Sequence, residues 1–400
     1  MDASSQLERL TKGCVEVVPE GALRAKLEKS IASKTPLRVK AGFDPSAPDI
    51  HLGHTVLLTK LRQFQDLGHK VILLIGDATA RIGDPTGRSQ TRPALSAAEV
   101  DKNARTYQDQ AFRILDVKRT EVVYNGKWFG AFGFEDFMKL LSRVTVSQIL
   151  QREDFAKRSA QNQPISLMEV FYPLMQAYDS VHLKSDIEVG GTDQKFNLLL
   201  GRELQKEFGQ EPQVVMTLPL LVGLDGTQKM SKSLGNHIGV TDSPKEIFGK
   251  IMSVSDKLMI QYWDLLTDQS GGSIQKQIDS GRLHPKAAKE DLAALITARF
   301  WSEKDAEKTR LEFSNVFGLK DTPSDVPLLR LPKGERKLYK LVQECGLAPS
   351  SSEARRLVVQ NAVSLDGKKV SDPEASVLVG PAEHFLKVGT RRFARFSAAS

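Results

Sequence analysis

The run Leu37-Arg38-Val39-Lys40-Ala41-Gly42, a stretch of helical character over 53–67, and then Val71-Ile72-Leu73-Leu74-Ile75-Gly76 decide the fold. Strand, helix and strand in that order form the crossover unit of a parallel sheet. The rhythm returns at Ile187-Glu188-Val189-Gly190-Gly191, a helical 194–208, and Gln213-Val214-Val215-Met216-Thr217-Leu218. The fold class expected is α/β, a doubly wound parallel-sheet (Rossmann-like) domain over 1–240 with an insertion at about 90–180 between its halves.

Past Ser243-Pro244-Lys245-Glu246, which reads as a helix start, the segments to 317 look helical and the strand signal disappears. A second, α-helical domain is expected over 241–320. Pro323, Pro327, Pro332 and Gly334 resist both helix and central strand, so 321–334 reads as a linker. Residues 335–400 then make a small α+β unit. In it a Ser-rich cap at Ser350-Ser351-Ser352 opens a helix displaying Arg355 and Arg356, followed by a strand, an Asp366-Gly367 turn and a strand carrying Lys368 and Lys369.

Composition narrows the function. Of 400 residues 40% are apolar and 26% charged, which excludes intrinsic disorder. No apolar run reaches the ~20 residues of a bilayer span, and the opening Met1-Asp2-Ala3-Ser4-Ser5-Gln6 lacks the basic head and apolar stretch of a secretory signal, so no membrane partner and a cytoplasmic location are expected. Cys14 and Cys345 lack metal-site spacing, and no carboxylate cluster promises a protein-held metal. The net charge is +7, and residues 331–400 alone hold twelve Lys and Arg against seven Asp and Glu. A localised basic surface favours polyanions by counterion release, which makes nucleic acid a candidate partner, with a solvated face as the plain alternative.

Two constellations carry chemistry. In Asp44-Pro45-Ser46-Ala47-Pro48-Asp49-Ile50-His51-Leu52-Gly53-His54 the imidazoles three residues apart share one face of a helix start at the carboxyl end of a strand. That is a donor pair for phosphate oxygens beside a helix N-terminus, with Gly53 expected to let a flat ligand approach the backbone. Lys229-Met230-Ser231-Lys232-Ser233, set between Gly226 and Gly235, places two lysines on a loop that can swing onto a polyphosphate.

With this pair of motifs the sequence resembles the class I aminoacyl-tRNA synthetases. Gly42-Phe43-Asp44-Pro45-Ser46, Ile82-Gly83-Asp84-Pro85-Thr86-Gly87-Arg88 and Gly190-Gly191-Thr192-Asp193-Gln194 resemble the bacterial tyrosyl type, and the likeness runs over almost the whole chain. It implies a ligase that activates L-tyrosine with ATP, brought as its Mg²⁺ complex, and transfers the tyrosyl group to the 3′-terminal adenosine of tRNA(Tyr). No prosthetic group is implied. By the same resemblance His51, His54, Lys229 and Lys232 are catalytic, and Gly42, Asp44, Ser46, Gly53, Gly191, Asp193, Met230, Ser231 and Ser233 surround ATP.

On the helix around Tyr172-Pro173-Leu174-Met175-Gln176-Ala177-Tyr178-Asp179, residues 172, 176 and 179 lie on one face and can line a polar pocket. The resemblance assigns Asp84, Tyr172 and Gln176 to the tyrosine ammonium, Asp179 to its phenol hydroxyl and Gln194 to the carboxylate side. One branch of the family has Tyr where this chain has Lys40; here Lys40 points outward or pairs with a carboxylate, and hydroxyl reading rests more on Asp179. The insertion implies a homodimer. The basic tail resembles an S-four-like RNA-binding module and implies tRNA contacts at Arg355, Arg356, Lys368 and Lys369. A tryptophanyl-type synthetase and a non-catalytic RNA-binding relative are the competing readings.

Overall fold

The computed structural model describes residues 1–45, 48–85, 96–317, 326, 328–389 and 392–398. It divides into two compact units, Met1–Glu303 and Lys304–Ser400. Ser46, and Thr86, Gly87 and Arg88 of the tyrosyl-type motif, lie outside the described residues.

The first unit is built on β1 (Glu16–Val18), β2 (Arg38–Phe43), β3 (Lys70–Ile75), β4 (Thr120–Tyr124), β5 (Ile187–Gly191) and β6 (Val214–Leu218). Their order is β1-β6-β5-β2-β3-β4. All neighbours are parallel except β1 with β6. Val71 to Ile75 and Val214 to Leu218 are fully buried, as strands covered on both faces must be, and this is why they read as continuous apolar runs. From β2 the chain winds outward through β3 to β4, then returns and winds the other way from β5 to β6. The order therefore reverses between β2 and β5, and a crevice opens beyond their carboxyl ends.

The expected insertion at 90–180 is not all insertion. Residues 120–124 form β4, which extends the sheet beside β3. Each β4 residue is only half-buried, so this edge strand lacks the apolar signature of the central ones. Past it come short helices and then the helix Leu167–Leu183, capped by Ser166 and Glu169 in a reciprocal box.

The helices Pro244–Met252, Asp256–Leu266, Gly271–Asp279 and Pro285–Phe300 belong to the first compact unit rather than standing apart from it. The Tyr262 hydroxyl donates to the Val222 carbonyl at 2.8 Å, and Arg113 Nη1 donates to the carbonyls of Val240 at 3.1 Å and Phe300 at 3.3 Å.

In the second unit β7 (Leu328–Leu331), β8 (Gly334–Lys337), β9 (Val363–Leu365), β10 (Lys368–Lys369), β11 (Ser376–Val379), β12 (His384–Val388) and β13 (Arg392–Ala398) form sheets β10-β9-β12-β13-β7 and β11-β8. β7 corrects the linker expectation. The prolines flank Leu328-Leu329-Arg330-Leu331 instead of interrupting it, and the strand pairs with β13 at the sheet edge, where proline neighbours are tolerated. The Asp366-Gly367 turn between β9 and β10 has positive φ at both residues (48° and 79°), the two-residue hairpin turn read from the sequence. Leu338, Leu341, Ala354, Val358, Leu386 and Phe396 centre this unit's own core.

Candidate active site

The crevice at the strand-order reversal begins with the two histidines. His51, in extended backbone, caps the helix Leu52–Asp66. Its Nδ1 accepts the Gly53 N–H at 3.2 Å, while His54 Nδ1 accepts the His51 N–H at 3.2 Å. With both Nδ1 atoms accepting, each neutral ring carries its proton on Nε2, which this hydrogen-bond pattern assigns. Burial lowers the His51 pKa to about 2, helped by His54, His237 and the nearby lysines, and lowers that of His54 to about 4. Both rings are thus neutral Nε2–H donors at pH 7. Gly53 differs from its expected role: an added Cβ would stand 2.9 Å from the His51 ring, so its bareness makes room for that imidazole.

The lysine loop follows β6. The carbonyl of Leu221 takes the Met230 N–H at 2.7 Å, and Met230 is buried. The Asp225 carboxylate takes the N–H groups of Thr227 and Gln228 at 2.8 Å each, which with Asn236 lowers its pKa to about 2. Asn236 in turn accepts the Ser231 N–H at 2.7 Å and donates to the Lys229 carbonyl at 3.2 Å. Asp225 and Asn236 shape the loop and were not singled out in the sequence. Lys229 Nζ lies 2.8 Å from Asp193 Oδ2, Lys232 Nζ meets the carboxylate of Asp49, and Ser231 and Ser233 share a hydroxyl contact of 2.9 Å. The chain after the loop is sewn to the histidine motif: Leu52 N–H donates to Ile238 at 2.9 Å and Val240 N–H to Ile50 at 3.0 Å.

Deeper in the crevice lies a polar network. Tyr172 donates its hydroxyl to Asp44 Oδ2 at 2.8 Å, and burial pushes the phenol well above its ordinary pKa. Thr79 donates to Asp44 Oδ1 at 2.7 Å, and Asn125 Nδ2 donates to Thr79 at 3.1 Å and to Asp179 Oδ2 at 3.3 Å. Trp128 Nε1 donates to Asp179 Oδ1 at 3.0 Å. Gln194 donates to Asp84 Oδ2 at 2.8 Å, while Asn197 Nδ2 serves Gln176 at 2.9 Å and Gln194 at 3.0 Å. Arg152, also buried, reaches Asp84 at 3.5 Å. Burial raises the Asp179 pKa to about 7, with Lys40, Asn125 and Trp128 pulling it back.

The crevice holds one cavity of about 760 Å³. Gly42, Asp44, His51, Gly53, His54, Asp84, Tyr172, Gln176, Asp179, Gly191, Asp193, Gln194, Lys229, Met230, Ser231, Lys232 and Ser233 all border it, and Ser46 is outside the described residues. Lys40 does not point outward. It is fully buried on the cavity wall, 2.9 Å from Glu188. The contributions of Asn125 and Trp128 went unread because they follow β4, the strand without an apolar signature. Among the described residues, no three His, Cys, Asp or Glu side chains are grouped to hold a metal ion, and no helix is long and apolar enough to cross a membrane.

In the second unit Arg355 and Arg356 lie on the helix Ser351–Val359, N-capped by Ser350. Arg355 stacks 3.7 Å above the Tyr339 ring and pairs with Glu374, and Arg356 pairs with Glu353 at 2.6 Å. These are exposed pairs of small energetic worth, open to exchange for a stronger anion. Lys368 and Lys369 are exposed on β10.

Comparison with known proteins agrees with this geometry. Residues 32–318 match the family of tRNA synthetases class I (W and Y), and residues 318–385 match the tyrosine--tRNA ligase SYY-like C-terminal domain. The tyrosine--tRNA ligase of Moorella thermoacetica is 52% identical over 397 residues, covering 98% of this chain and 96% of that one. The ligase of Nitratidesulfovibrio vulgaris is 48% identical over 401 residues, covering 99% of each. The crystal structure of an Archaeoglobus fulgidus tyrosyl-tRNA synthetase complexed with L-tyrosine superposes with a TM-score of 0.63 at 27% identity, over 78% of this chain and all of that one. The chain belongs to the class I tRNA synthetases and, within them, to the bacterial-type tyrosine--tRNA ligases.

Proposed function

We infer that this cavity joins L-tyrosine to tRNA(Tyr) in two steps. A carboxylate oxygen of tyrosine attacks the α-phosphorus of ATP, the bond to the β-phosphate oxygen breaks, and pyrophosphate leaves. A hydroxyl of the 3′-terminal adenosine of tRNA then attacks the adenylate carbonyl, and AMP departs as the hydroxyl proton is released. The nucleophile of the first step is already ionised at neutral pH. The site is therefore asked for alignment and charge stabilisation, not for a general base.

The observation that carries this reading is that two neutral Nε2–H donors, two lysines and the polar side chains Asp84, Tyr172, Gln176 and Asp179 all border one cavity. His51 and His54 donate to ATP phosphate oxygens. Lys229 and Lys232 exchange Asp193 and Asp49 for the leaving pyrophosphate, with Ser231 and Ser233 adding hydroxyl donors. Asp193, once released, is the carboxylate for the ribose, Gly42, Asp44, Gly53, Gly191 and Met230 border the nucleotide, and Ser46 joins them on the sequence motif alone. Mg²⁺ arrives with ATP as part of the substrate. Asp84, Tyr172 and Gln176 receive the tyrosine ammonium, Gln194 its carboxylate side, and Asp179 the phenol hydroxyl.

The helices over 241–320 read as the anticodon-recognition part, and residues 335–400 as the S-four-like tRNA-binding module with Arg355, Arg356, Lys368 and Lys369 toward the RNA backbone. Phe134 (80% exposed) and Leu167 (81%), with Met138, Val146 and Met168, are exposed large apolar side chains of the insertion, and this exposure supports a homodimer. The enzyme is assigned to the cytoplasm. ATP–pyrophosphate exchange with each of the twenty amino acids tests the activity: tyrosine alone sustains exchange, and exchange driven by tryptophan, or by none, overturns the reading.

A further inference from the structure

Behind the cavity wall a single amide joins the side chains that would hold the amino acid. Asn197, on the helix Lys195–Glu207, is only 2% exposed. Gln176, Gln194 and Asp84 are among the described residues that border the cavity, and neither Asn197 nor Arg152 is. Asn197 Nδ2 donates to Gln176 Oε1 at 2.9 Å and to Gln194 Oε1 at 3.0 Å, and its Oδ1 accepts from Arg152 Nη1 at 3.4 Å. An apolar side chain at this position would avoid the cost of desolvating an amide, and what the amide supplies instead is direction.

That direction is forced from both ends. A guanidinium only donates, so the Asn197 atom facing Arg152 is oxygen and the atom facing the glutamines is nitrogen. An amide nitrogen also only donates, so each glutamine turns its oxygen toward Asn197. At the other end Gln194 Nε2 donates to Asp84 Oδ2 at 2.8 Å, and a carboxylate only accepts, which again leaves the Gln194 oxygen on the Asn197 side. Arg152 is itself fixed. Its Nε lies 2.8 Å from Asp154 Oδ1, its Nη2 donates to Asp154 Oδ2 at 3.0 Å, and the guanidinium stands 5.0 Å over the Phe155 ring. It also reaches Asp84 at 3.5 Å, which closes a loop of contacts through Asn197 and Gln194.

We propose that Asn197 is a positioning residue for the amino acid, setting the amide polarity of Gln176 and Gln194 from behind the cavity wall. The Gln176 oxygen, held through one lone pair, presents the other to the tyrosine ammonium, and Gln194 faces the tyrosine carboxylate with its nitrogen rather than its oxygen. Without Asn197 each amide turns over, setting a donor against the ammonium or an acceptor against the carboxylate. This rests on the reading that Gln176 and Gln194 face tyrosine.

Equilibrium dialysis of tyrosine without ATP, together with the KM for ATP in pyrophosphate exchange, measures the effect. Asn197→Leu, which keeps the branched shape and removes the donor, weakens tyrosine binding about tenfold and leaves the KM for ATP unchanged. Gln176→Met also weakens tyrosine binding. The double variant falls about fivefold short of the product of the two single effects, because Asn197 acts through that glutamine. Loosened packing would instead raise the KM for ATP as well and multiply with Gln176→Met. Unchanged tyrosine affinity in Asn197→Leu, a joint loss of ATP, or a multiplicative double variant overturns the proposal. If Asn197→Leu fails to fold, Asn197→Asp decides alone, since it keeps the shape and the Arg152 contact but offers acceptors where the glutamines need a donor. Tyramine, which has the ammonium and no carboxylate, serves as the probe by its inhibition of exchange. Added negative charge by itself would tighten tyramine binding, whereas reversed polarity weakens it about tenfold. Tighter or unchanged inhibition overturns the proposal. Gln176→Met separates the underlying reading: unchanged tyrosine affinity there overturns Gln176 as an ammonium residue and the proposal with it, whereas weakened binding beside a multiplicative double variant overturns the role of Asn197 alone.

Discussion

His51 and His54 share one tautomer: the His54 ring accepts the His51 N–H, the His51 ring accepts the Gly53 N–H, and the ring centroids stand 4.0 Å apart. In the folded chain their pKa values lie far below the ordinary 6.5. The unfolded chain therefore takes up protons below pH 6.5 that the folded chain refuses, and stability falls as pH drops from about 6.5 toward 4. Between pH 6.5 and 5 each ring contributes a loss of about 1–2 kcal/mol. Thermal unfolding at pH 7.5 and 5 checks this, and His54→Asn narrows the difference between the two midpoints.

Lys232 pairs with Asp49, and in the proposed mechanism it reaches its strongest contact only as pyrophosphate forms. Lys232→Ala lowers the single-turnover rate of adenylate formation about 10²–10³-fold and leaves tyrosine affinity nearly unchanged, since the interaction belongs to the transition state. Equilibrium dialysis of tyrosine and rapid quench of the first turnover separate the two.

Trp128 serves Asp179 through one N–H while its ring stacks on His182. Trp128→Phe keeps an aromatic ring and removes the donor. Tyrosine activation falls roughly tenfold at pH 7 and phenylalanine activation changes little, because one hydrogen bond to a charged group is worth about 1.5–3 kcal/mol. Pyrophosphate exchange with the two amino acids reads the difference.

In the proposed homodimer the exposed side chains of Phe134, Met138, Val146, Leu167 and Met168 are covered. Light scattering of the intact chain at micromolar concentration gives about twice its 44.3 kDa, and Leu167→Arg shifts the distribution toward the single chain. A mass of one chain for the unaltered protein removes the dimer from the account.

The second unit has its own core, and in the proposed function it is separable from the first step of the reaction. Truncation after Pro323 leaves tyrosine-dependent pyrophosphate exchange nearly intact and sharply lowers tRNA charging. Arg355→Ala or Arg356→Ala weakens tRNA binding and flattens its dependence on log salt by about 0.7–0.9 for each lost phosphate contact. Filter binding at a series of salt concentrations measures the slope.

Central strands were legible because burial on both faces makes them continuous apolar runs, as in Val71 to Ile75. β4 and β7 were not. One is half-buried along its length, and the other is bracketed by prolines, so neither carries the period or composition that marks a strand. The two motifs proposed as catalytic were legible as local strings, but their partners were not. Asp49 meets Lys232 across 183 residues, and Trp128 meets Asp179 across 51, pairings that only the wound sheet creates. Lys40 shows the limit most plainly, since its burial depends on Glu188 standing opposite it on a strand 148 positions further along.

The central claim, that one cavity activates tyrosine before tRNA is charged, is met most directly by mixing the enzyme with tyrosine, MgATP and pyrophosphatase in the absence of tRNA and passing the mixture through a gel-filtration column. Tyrosyl-adenylate should elute with the protein, and adding tRNA(Tyr) should convert it to tyrosyl-tRNA without further ATP. Protein that elutes free of adenylate, or adenylate that tRNA leaves untouched, would contradict the account.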